Sequence, residues 1–176
     1  IVSLVADYAI HNATVSFTLR KNGTAGCDIK TERGSTVRKN IGKILTEKVA
    51  SQLQGIQLSS DQPPFAMEGY MSTSTFTGKK SKFILFVNDR LIEHQGIRRM
   101  VERIYEEYLP RLSFFVYIDL KVAHDRIDCN VNPSKTAVRL LEEEKLVQQL
   151  EKFFTECVGG CSQVKAFSTT QPPVQQ

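Results

Sequence analysis

The sequence lacks a long run of apolar residues. It is 41% hydrophobic, too much for a disordered chain, but no uninterrupted apolar stretch approaches the ~18 residues that a membrane-spanning helix needs. Residues 1–7 contain no methionine, no basic segment and no extended apolar core, so they do not resemble a secretory signal peptide. We therefore expect a globular domain of a larger protein, with no membrane anchor.

Cysteine and histidine are few and scattered. There are four cysteines and three histidines. Three residues separate Cys157 from Cys161, but no second Cys or His pair lies near them in the sequence to complete a zinc site. The pattern favours reduced thiols in a reducing compartment and predicts no metal site.

Local catalytic motifs are also missing. The sequence contains no G-x-G-x-x-G or Walker phosphate loop and no G-x-S-x-G nucleophile turn. Nothing in it therefore indicates a self-contained enzyme.

Basic residues are concentrated in two stretches, although the net charge is only +4. Residues 20–43 carry seven basic side chains against two acidic ones, and residues 79–111 carry eight against five. Such stretches can bind polyanions by releasing counterions from phosphates. The alternative is that they are ordinary solvated faces.

Apolar periodicity predicts strands alternating with helices. The predicted helices cover residues 4–10, 36–55, 96–109 and 142–157, and the predicted strands cover 13–20, 25–31, 65–71, 83–87, 112–120, 126–131 and 137–141. The run 83–87 is apolar at every position, which suits a strand buried on both faces. A loop is expected at 59–64, a helix end at Gly159-Gly160 and a linker over 161–176. We predict an α+β domain over residues 1–160, with one mixed sheet covered by helices.

The segment 126–135 is the most unusual. A strand that carries Asp128 and Asn130 on one face must end at Asn132-Pro133, because proline fixes φ and has no N–H to donate. Lys135 would then stand at a defined corner, where its ammonium could pair with a terminal phosphate. The alternative is a solvated turn lysine.

Two motifs in the expected order carry a family resemblance. The run Asp128-Cys129-Asn130-Val131-Asn132-Pro133-Ser134-Lys135 resembles the D-V-N-V-H-P-x-K motif of the MutL mismatch-repair family, and residues 83–92 resemble its F-x-F-x-N-x-R strand. Residues 8–12, 68–72 and 104–110 resemble the eukaryotic MutL homologue 1 branch in particular. The resemblance extends from residue 1 to about residue 160.

The resemblance implies the transducer domain of a GHKL-type ATPase, with a fold similar to the second domain of ribosomal protein S-five. It implies that Lys135 reaches the γ-phosphate of ATP, with Asn130, Asn132 and Pro133 supporting its loop. ATP and Mg²⁺ would be held mainly by a preceding domain outside this sequence, so the fragment alone is not expected to be active. Asn132 stands where the family has histidine, so it can hydrogen-bond but cannot titrate.

The resemblance also implies partners. These are a second MutL homologue in a heterodimer, DNA, and a MutS-type mismatch-recognition complex, in the nucleus and away from membranes. The DNA-binding candidates are Arg90, Arg98, Arg99, Lys79, Lys80 and Lys82. Bacterial members carry an arginine-rich loop after the position of Arg90, where this chain has Glu93-His94-Gln95. The alternatives are a nonspecific DNA-binding module and a protein-interaction scaffold with no nucleotide role.

Overall fold

A mixed five-stranded sheet organises the fold. The computed structural model describes residues 1–20, 22, 23, 26–123, 127, 128 and 139–167. In chain order the elements are α1 (Val2–His11), β1 (Thr18–Leu19), β2 (Ile29–Lys30), α2 (Val37–Ile44), α3 (Glu47–Ser51), β3 (Leu53–Asp61), β4 (Pro64–Ser72), β5 (Lys82–Val87), β6 (Arg90–Leu91), α4 (Gln95–Tyr108), β7 (Phe115–Val122), β8 (Ile127–Asp128), β9 (Arg139–Leu140) and α5 (Glu143–Phe167). No helix in this described part is long and apolar enough to cross a bilayer.

The sheet order is β3-β4-β7-β5-β6. β5 and β7 are parallel, and the other neighbouring strands are antiparallel. The connection between the parallel strands runs through β6 and α4, since parallel neighbours need a crossover. The predicted α+β class with a mixed sheet is confirmed.

Helices cover both faces of the sheet. Leu85 and Val87 of β5 pack into one core with α4 and α5, while Ile84 and Phe86 pack into a second core with α1, α2 and α3. All four side chains are at most 2% exposed. Because successive side chains of a strand point to opposite faces, an apolar run such as 83–87 can serve two cores at once. The prediction for this strand is confirmed.

The single helix predicted over 36–55 is instead two helices followed by the start of a strand. α2 begins after Thr36, whose hydroxyl accepts the Lys39 N–H, but it ends at Ile44, and a second cap at Thr46 begins the short α3. The chain then enters β3, where Leu53 pairs with Ser72 of β4. Leu53 suits a helical face and a strand equally, and pairing along the whole of β4 decides in favour of the strand.

The loop predicted over residues 59–64 is mostly strand. Residues 59–61 continue β3, and Asp61 pairs with Pro64 in a tight hairpin. Proline is compatible with this position because Pro64 is the first residue of its strand. A proline pair therefore marked the turn correctly, but the turn is shorter than expected.

The ends of the chain also differ from expectation. Only Thr18 and Leu19 of the strand predicted over 13–20 form β1, and Val15 is 51% exposed. The helix end predicted at Gly159-Gly160 is wrong, since α5 continues to Phe167. Leu150, Phe154 and Val158 form a buried stripe that runs up to the first glycine, and each glycine costs only ~1 kcal/mol in a helix. The division into a domain over 1–160 and a linker from 161 stays a prediction.

Candidate functional site at the carboxyl edge of the sheet

The predicted phosphate-contacting segment falls outside the described residues. This applies to Lys135 and to its expected supports Asn130, Asn132 and Pro133. The chain on either side is described. Asp128 of β8 pairs with Arg139 of β9, and the neighbouring Leu140 is 4% exposed in the core with α4 and α5. Asp128 and Arg139, which flank the segment 129–138, are therefore paired beside a residue of the core.

A two-residue turn joins β5 to β6 at the carboxyl edge of the sheet. Asn88 and Asp89 have φ values of 46° and 65°, a left-handed conformation that Asn and Asp tolerate better than other residues with a side chain. The Asn88 amide donates to the Val122 carbonyl at 2.8 Å, and its Oδ1 accepts the Val122 N–H at 3.0 Å. Asn88 thus fastens the end of β5 to the end of β7, which gives the N-x-R motif a structural role.

The His11 ring, at the end of α1, meets this turn. It is 5% exposed and stacks on Phe86 at a centroid distance of 3.9 Å. Its Nε2 lies 3.0 Å from Asp89 Oδ1, and its Nδ1 lies 2.8 Å from the Tyr117 hydroxyl. A carboxylate only accepts, so Nε2–H donates to Asp89, while Nδ1 forms the hydrogen bond with the Tyr117 hydroxyl.

Ion pairs also hold the turn between β5 and β6. Lys121 Nζ contacts the Asp89 carboxylate and lies 3.3 Å from Asp119 Oδ1. Hydrogen bonds from Lys121 and then His11 lower the pKa of Asp89. Burial alone would lower the pKa of Lys121, but the hydrogen bond to Asp89 and the charge of Asp119 outweigh it and raise that pKa. We call His11, Asp89, Tyr117, Asp119 and Lys121 the edge cluster.

The contacts within the edge cluster favour a structural role over metal binding. His11, Asp89 and Asp119 bring three potential ligand atoms within 4.8 Å of one another, which by itself could suit a divalent cation. The ammonium of Lys121, however, already lies against both carboxylates. Burial, followed by the charge of Asp119, raises the pKa of Tyr117 so that its hydroxyl stays protonated. The cluster therefore fixes α1, the β5–β6 turn and the end of β7 relative to one another.

The six DNA-binding candidates lie on separate elements. Lys79 and Lys80 are exposed in the loop between β4 and β5. Lys82 is 26% exposed and its Nζ lies 2.6 Å from the carboxylate of Asp7. Arg90 is exposed on β6, and Arg98 and Arg99 are exposed on α4. Lys82 is thus engaged in an ion pair, whereas the other five side chains are exposed to solvent.

A groove of about 410 Å³ brings two of these candidates together. Phe83 and Leu85 of β5 line it, and Arg98 and Arg99 lie along its wall. Three carboxylates also line it, those of Asp7, Glu93 and Glu102, and Arg98 Nε lies 2.9 Å from Glu102 Oε1. The groove therefore has no excess of positive charge, and a polyanion would be repelled as well as attracted.

Few features of the sequence indicate the edge cluster. His11 lies 78 residues from Asp89 and 106 from Tyr117 along the chain. A lone histidine after an apolar helix and an Asn-Asp pair after an apolar strand were the available signals. Neither signal indicates the other, because the sheet order that joins them is a property of the fold.

Comparison with known proteins agrees with the two sequence motifs. A family model described as "DNA mismatch repair protein, C-terminal domain" matches residues 41–158. The chain is 30% identical to the DNA mismatch repair protein Mlh1 of Dictyostelium discoideum over 96% of its length, and 34% identical to a putative MutL protein homologue 1 of Schizosaccharomyces pombe over 85%. The chain belongs to the DNA mismatch repair protein family. It spans 22% of the length of each of these two relatives.

Two solved structures have a similar fold. The N-terminal domain of a DNA repair protein matches 96% of the chain with a TM-score of 0.76 at 20% identity, and the match covers 54% of that protein. The ATPase domain of the Aquifex aeolicus mismatch repair endonuclease MutL matches 85% with a TM-score of 0.56 at 15% identity, covering 48% of that chain. The fold is thus shared with part of the MutL ATPase domain.

Proposed function

We propose that this chain is the transducer domain of a mismatch-repair ATPase related to eukaryotic MutL homologue 1. In the whole protein Lys135 would contact the γ-phosphate of ATP held by a neighbouring GHKL domain. The observation that carries the proposal is the family match over residues 41–158, which includes the motif from Asp128 to Lys135. The pairing of Asp128 with Arg139 supports it, since the residues that flank the lysine segment are held together.

The described residues suit a single contact with the nucleotide better than a complete site. The groove beside α4 is lined by three carboxylates, which a triphosphate would not tolerate well. We therefore assign ATP and Mg²⁺ mainly to the preceding domain. This chain would supply one cation, and bound ATP would supply the phosphate that it recognises.

Such a contact provides a coupling mechanism. A ligand shifts a conformational equilibrium only through contacts that differ between the two states. If Lys135 meets the phosphate only in the closed state, a charge-assisted hydrogen bond of about 1.5–3 kcal/mol favours closure by roughly 10- to 150-fold. The edge cluster supports this role, because it fixes the end of β7 from which the chain continues towards Lys135.

In the whole protein, closure would join this chain to a second MutL homologue around DNA, in the nucleus, downstream of a MutS-type complex. Lys79, Lys80 and Arg90 have no ionic partner among the described residues, and they would contact phosphates without reading bases. Arg99 also has none there, but it borders the groove lined by three carboxylates and would contribute less. Lys82 and Arg98 are engaged with Asp7 and Glu102 and would contribute less. Binding should therefore be nonspecific and weaken as salt increases.

ATP hydrolysis by the full-length protein tests the role of Lys135. Lys135→Ala should lower kcat by roughly 10- to 100-fold, because the contact forms only in the closed, reactive state. Lys135→Arg should retain part of the activity, and Lys152→Ala, at an exposed lysine of α5, should retain all of it. Turnover by Lys135→Ala at the rate of the unmodified protein would remove the phosphate contact from the proposal.

A DNA-binding module without a nucleotide role is the second candidate, favoured by the exposed lysines before β5. If it is correct, Lys79→Ala together with Lys80→Ala should weaken duplex binding and reduce its salt dependence. Lys135→Ala would then leave both DNA binding and ATP turnover unchanged.

A further inference from the structure

β6 covers only part of the outer edge of β5. On its inner side β5 pairs with β7 from Lys82 to Val87. On its outer side β6 pairs only with Phe86 and Val87, and one further hydrogen bond runs from the Ile92 N–H to the Leu85 carbonyl at 2.9 Å. The chain then leaves the sheet and enters α4. The outer edge is therefore open before Leu85.

Alternation along the strand identifies the main-chain groups at this open edge. The Lys82 N–H donates to the Phe114 carbonyl on the β7 side at 2.8 Å, whereas the Leu85 carbonyl accepts on the β6 side. Successive residues of a strand direct their N–H and C=O groups to opposite sides. The N–H and C=O of Phe83 consequently face outward, beyond the point where pairing with the β6 chain ends.

The open edge lies in the groove described above. Phe83 and Leu85 line this groove from the same face of the sheet. Arg99 borders it on α4 and is exposed, with no ionic partner in the described part of the chain. On the side of α1, the groove is bounded by Asp7, which is paired with Lys82. The groove thus offers an apolar surface, free main-chain groups and one available positive charge.

We propose that an extended peptide of a protein partner binds here as an additional strand beside β5, in line with β6. Its main chain would pair with Phe83. Every second side chain, apolar, would pack on Phe83 and Leu85, and an acidic side chain would meet Arg99. Strand addition to an exposed sheet edge takes its affinity from main-chain hydrogen bonds and its specificity from alternate side chains.

The charges favour a peptide over nucleic acid at this place. Three carboxylates line the groove beside its two arginines, so a duplex would bring many phosphates to a wall with no positive excess. A single acidic side chain opposite Arg99 avoids that repulsion. Natural proteins usually cover a sheet edge. Here the chain that follows β6 covers the edge of β5 only as far as Ile92, which bonds Leu85. The proposal is independent of the ATP contact, since neither Lys135 nor nucleotide takes part.

The test uses the full-length protein and a phage-displayed library of random ten-residue peptides. Selected peptides should alternate apolar and polar residues and carry Asp or Glu. N-methylation of one peptide amide at a time should weaken binding by about fivefold at the amide that donates to the Phe83 carbonyl, the equivalent of one main-chain hydrogen bond, and should have less effect at the two neighbouring amides. Hydrogen exchange at the Phe83 amide should be faster than at Ile84 without peptide and should slow when peptide binds.

Substitutions in the protein test whether the peptide binds in this groove. Arg99→Glu should weaken binding by about fivefold or more, and Lys152→Glu, on the exposed face of α5, should leave it unchanged. Phe83→Pro, which removes the outward N–H, should abolish binding if the protein still folds. The proposal is overturned if no peptide is enriched, if no single N-methylation weakens binding, or if Arg99→Glu has no effect. Protection of the Phe83 amide by duplex DNA alone would assign the groove to DNA.

Discussion

The two ends of β5 differ in how their polar groups are used. At the carboxyl end, Asn88 bonds both main-chain groups of Val122, and His11 joins Asp89 to Tyr117. At the amino end, Lys82 pairs with Asp7 but the main chain of Phe83 faces an open groove. The polar groups at the carboxyl end of this strand are thus hydrogen-bonded within the protein, whereas main-chain groups at its amino end can still accept a partner.

This difference separates polar groups that already have hydrogen-bond partners from polar groups that can still bind a ligand. Polar groups that already have partners contribute rigidity, and leaving one of them buried without a partner costs roughly 1–3 kcal/mol. Main-chain groups that face water carry no such free-energy cost, and they can form hydrogen bonds with a ligand. We therefore expect substitutions at the carboxyl end to change stability, and those at the amino end to change binding, with Lys82 as the exception.

The largest effect is expected for His11→Ala. This change removes the stack on Phe86 and leaves the buried Tyr117 hydroxyl without its imidazole partner, so the free energy of unfolding should fall by about 3 kcal/mol. Urea denaturation of the chain measures it. His11→Phe, which keeps the stack, should lose about half as much. An equal loss in both variants would show that the ring's hydrogen bonds, and not its stacking, close this end.

Asn88→Ala should cost about 2 kcal/mol, because it removes two hydrogen bonds and places alanine at φ 46°. Asn88→Gly keeps the backbone freedom and loses only the bonds. Thermal unfolding of the pair separates the two contributions. If alanine and glycine are equally stable, backbone conformation plays no part in closing this turn.

Lys82→Met tests the exception at the open end. Asp7 is 13% exposed and would lose its cation, so we expect a loss of about 1–2 kcal/mol in the free energy of unfolding. Lys80→Met, at an exposed lysine two residues earlier, should change stability by less than about 0.5 kcal/mol. Equal effects in urea denaturation would mean that the Lys82–Asp7 pair is no more than a surface contact.

Acid should weaken the carboxyl end first, with the smallest effect of the series. The pKa of Asp89 is lowered by Lys121 and His11, so this carboxylate stabilises the fold above its unfolded pKa of about 4. That contribution disappears as pH falls through the lower, folded pKa. Because Asp89 is 70% exposed, it is less than about 1 kcal/mol.

Stability measured from pH 6 to pH 2 checks this expectation. Asp89→Asn should flatten the acid-side slope slightly, and Asp28→Asn, an exposed aspartate near β2, should leave it unchanged. An unaltered slope in Asp89→Asn would show that solvent screens the contacts of Asp89 completely.

Strong local patterns predicted most of the elements. The run 83–87 and the periodic stretch 96–109 were found because burial on two faces and burial of one helical stripe leave clear signatures. β3 was missed because Leu53 fits a helix and a strand alike, and the partner that decides, β4, comes later in the chain. The Lys135 motif was found by resemblance and lies outside the described residues.

The sequence by itself determined the family, through two motifs in order, and the mixture of strands and helices, through apolar periodicity. Only the tertiary structure decided which polar groups meet. Sheet order places His11 against Asp89 and Tyr117, and it leaves Phe83 at an open edge beside α4. These contacts join residues far apart in the chain, so they follow from packing of the whole sheet, which no local pattern encodes.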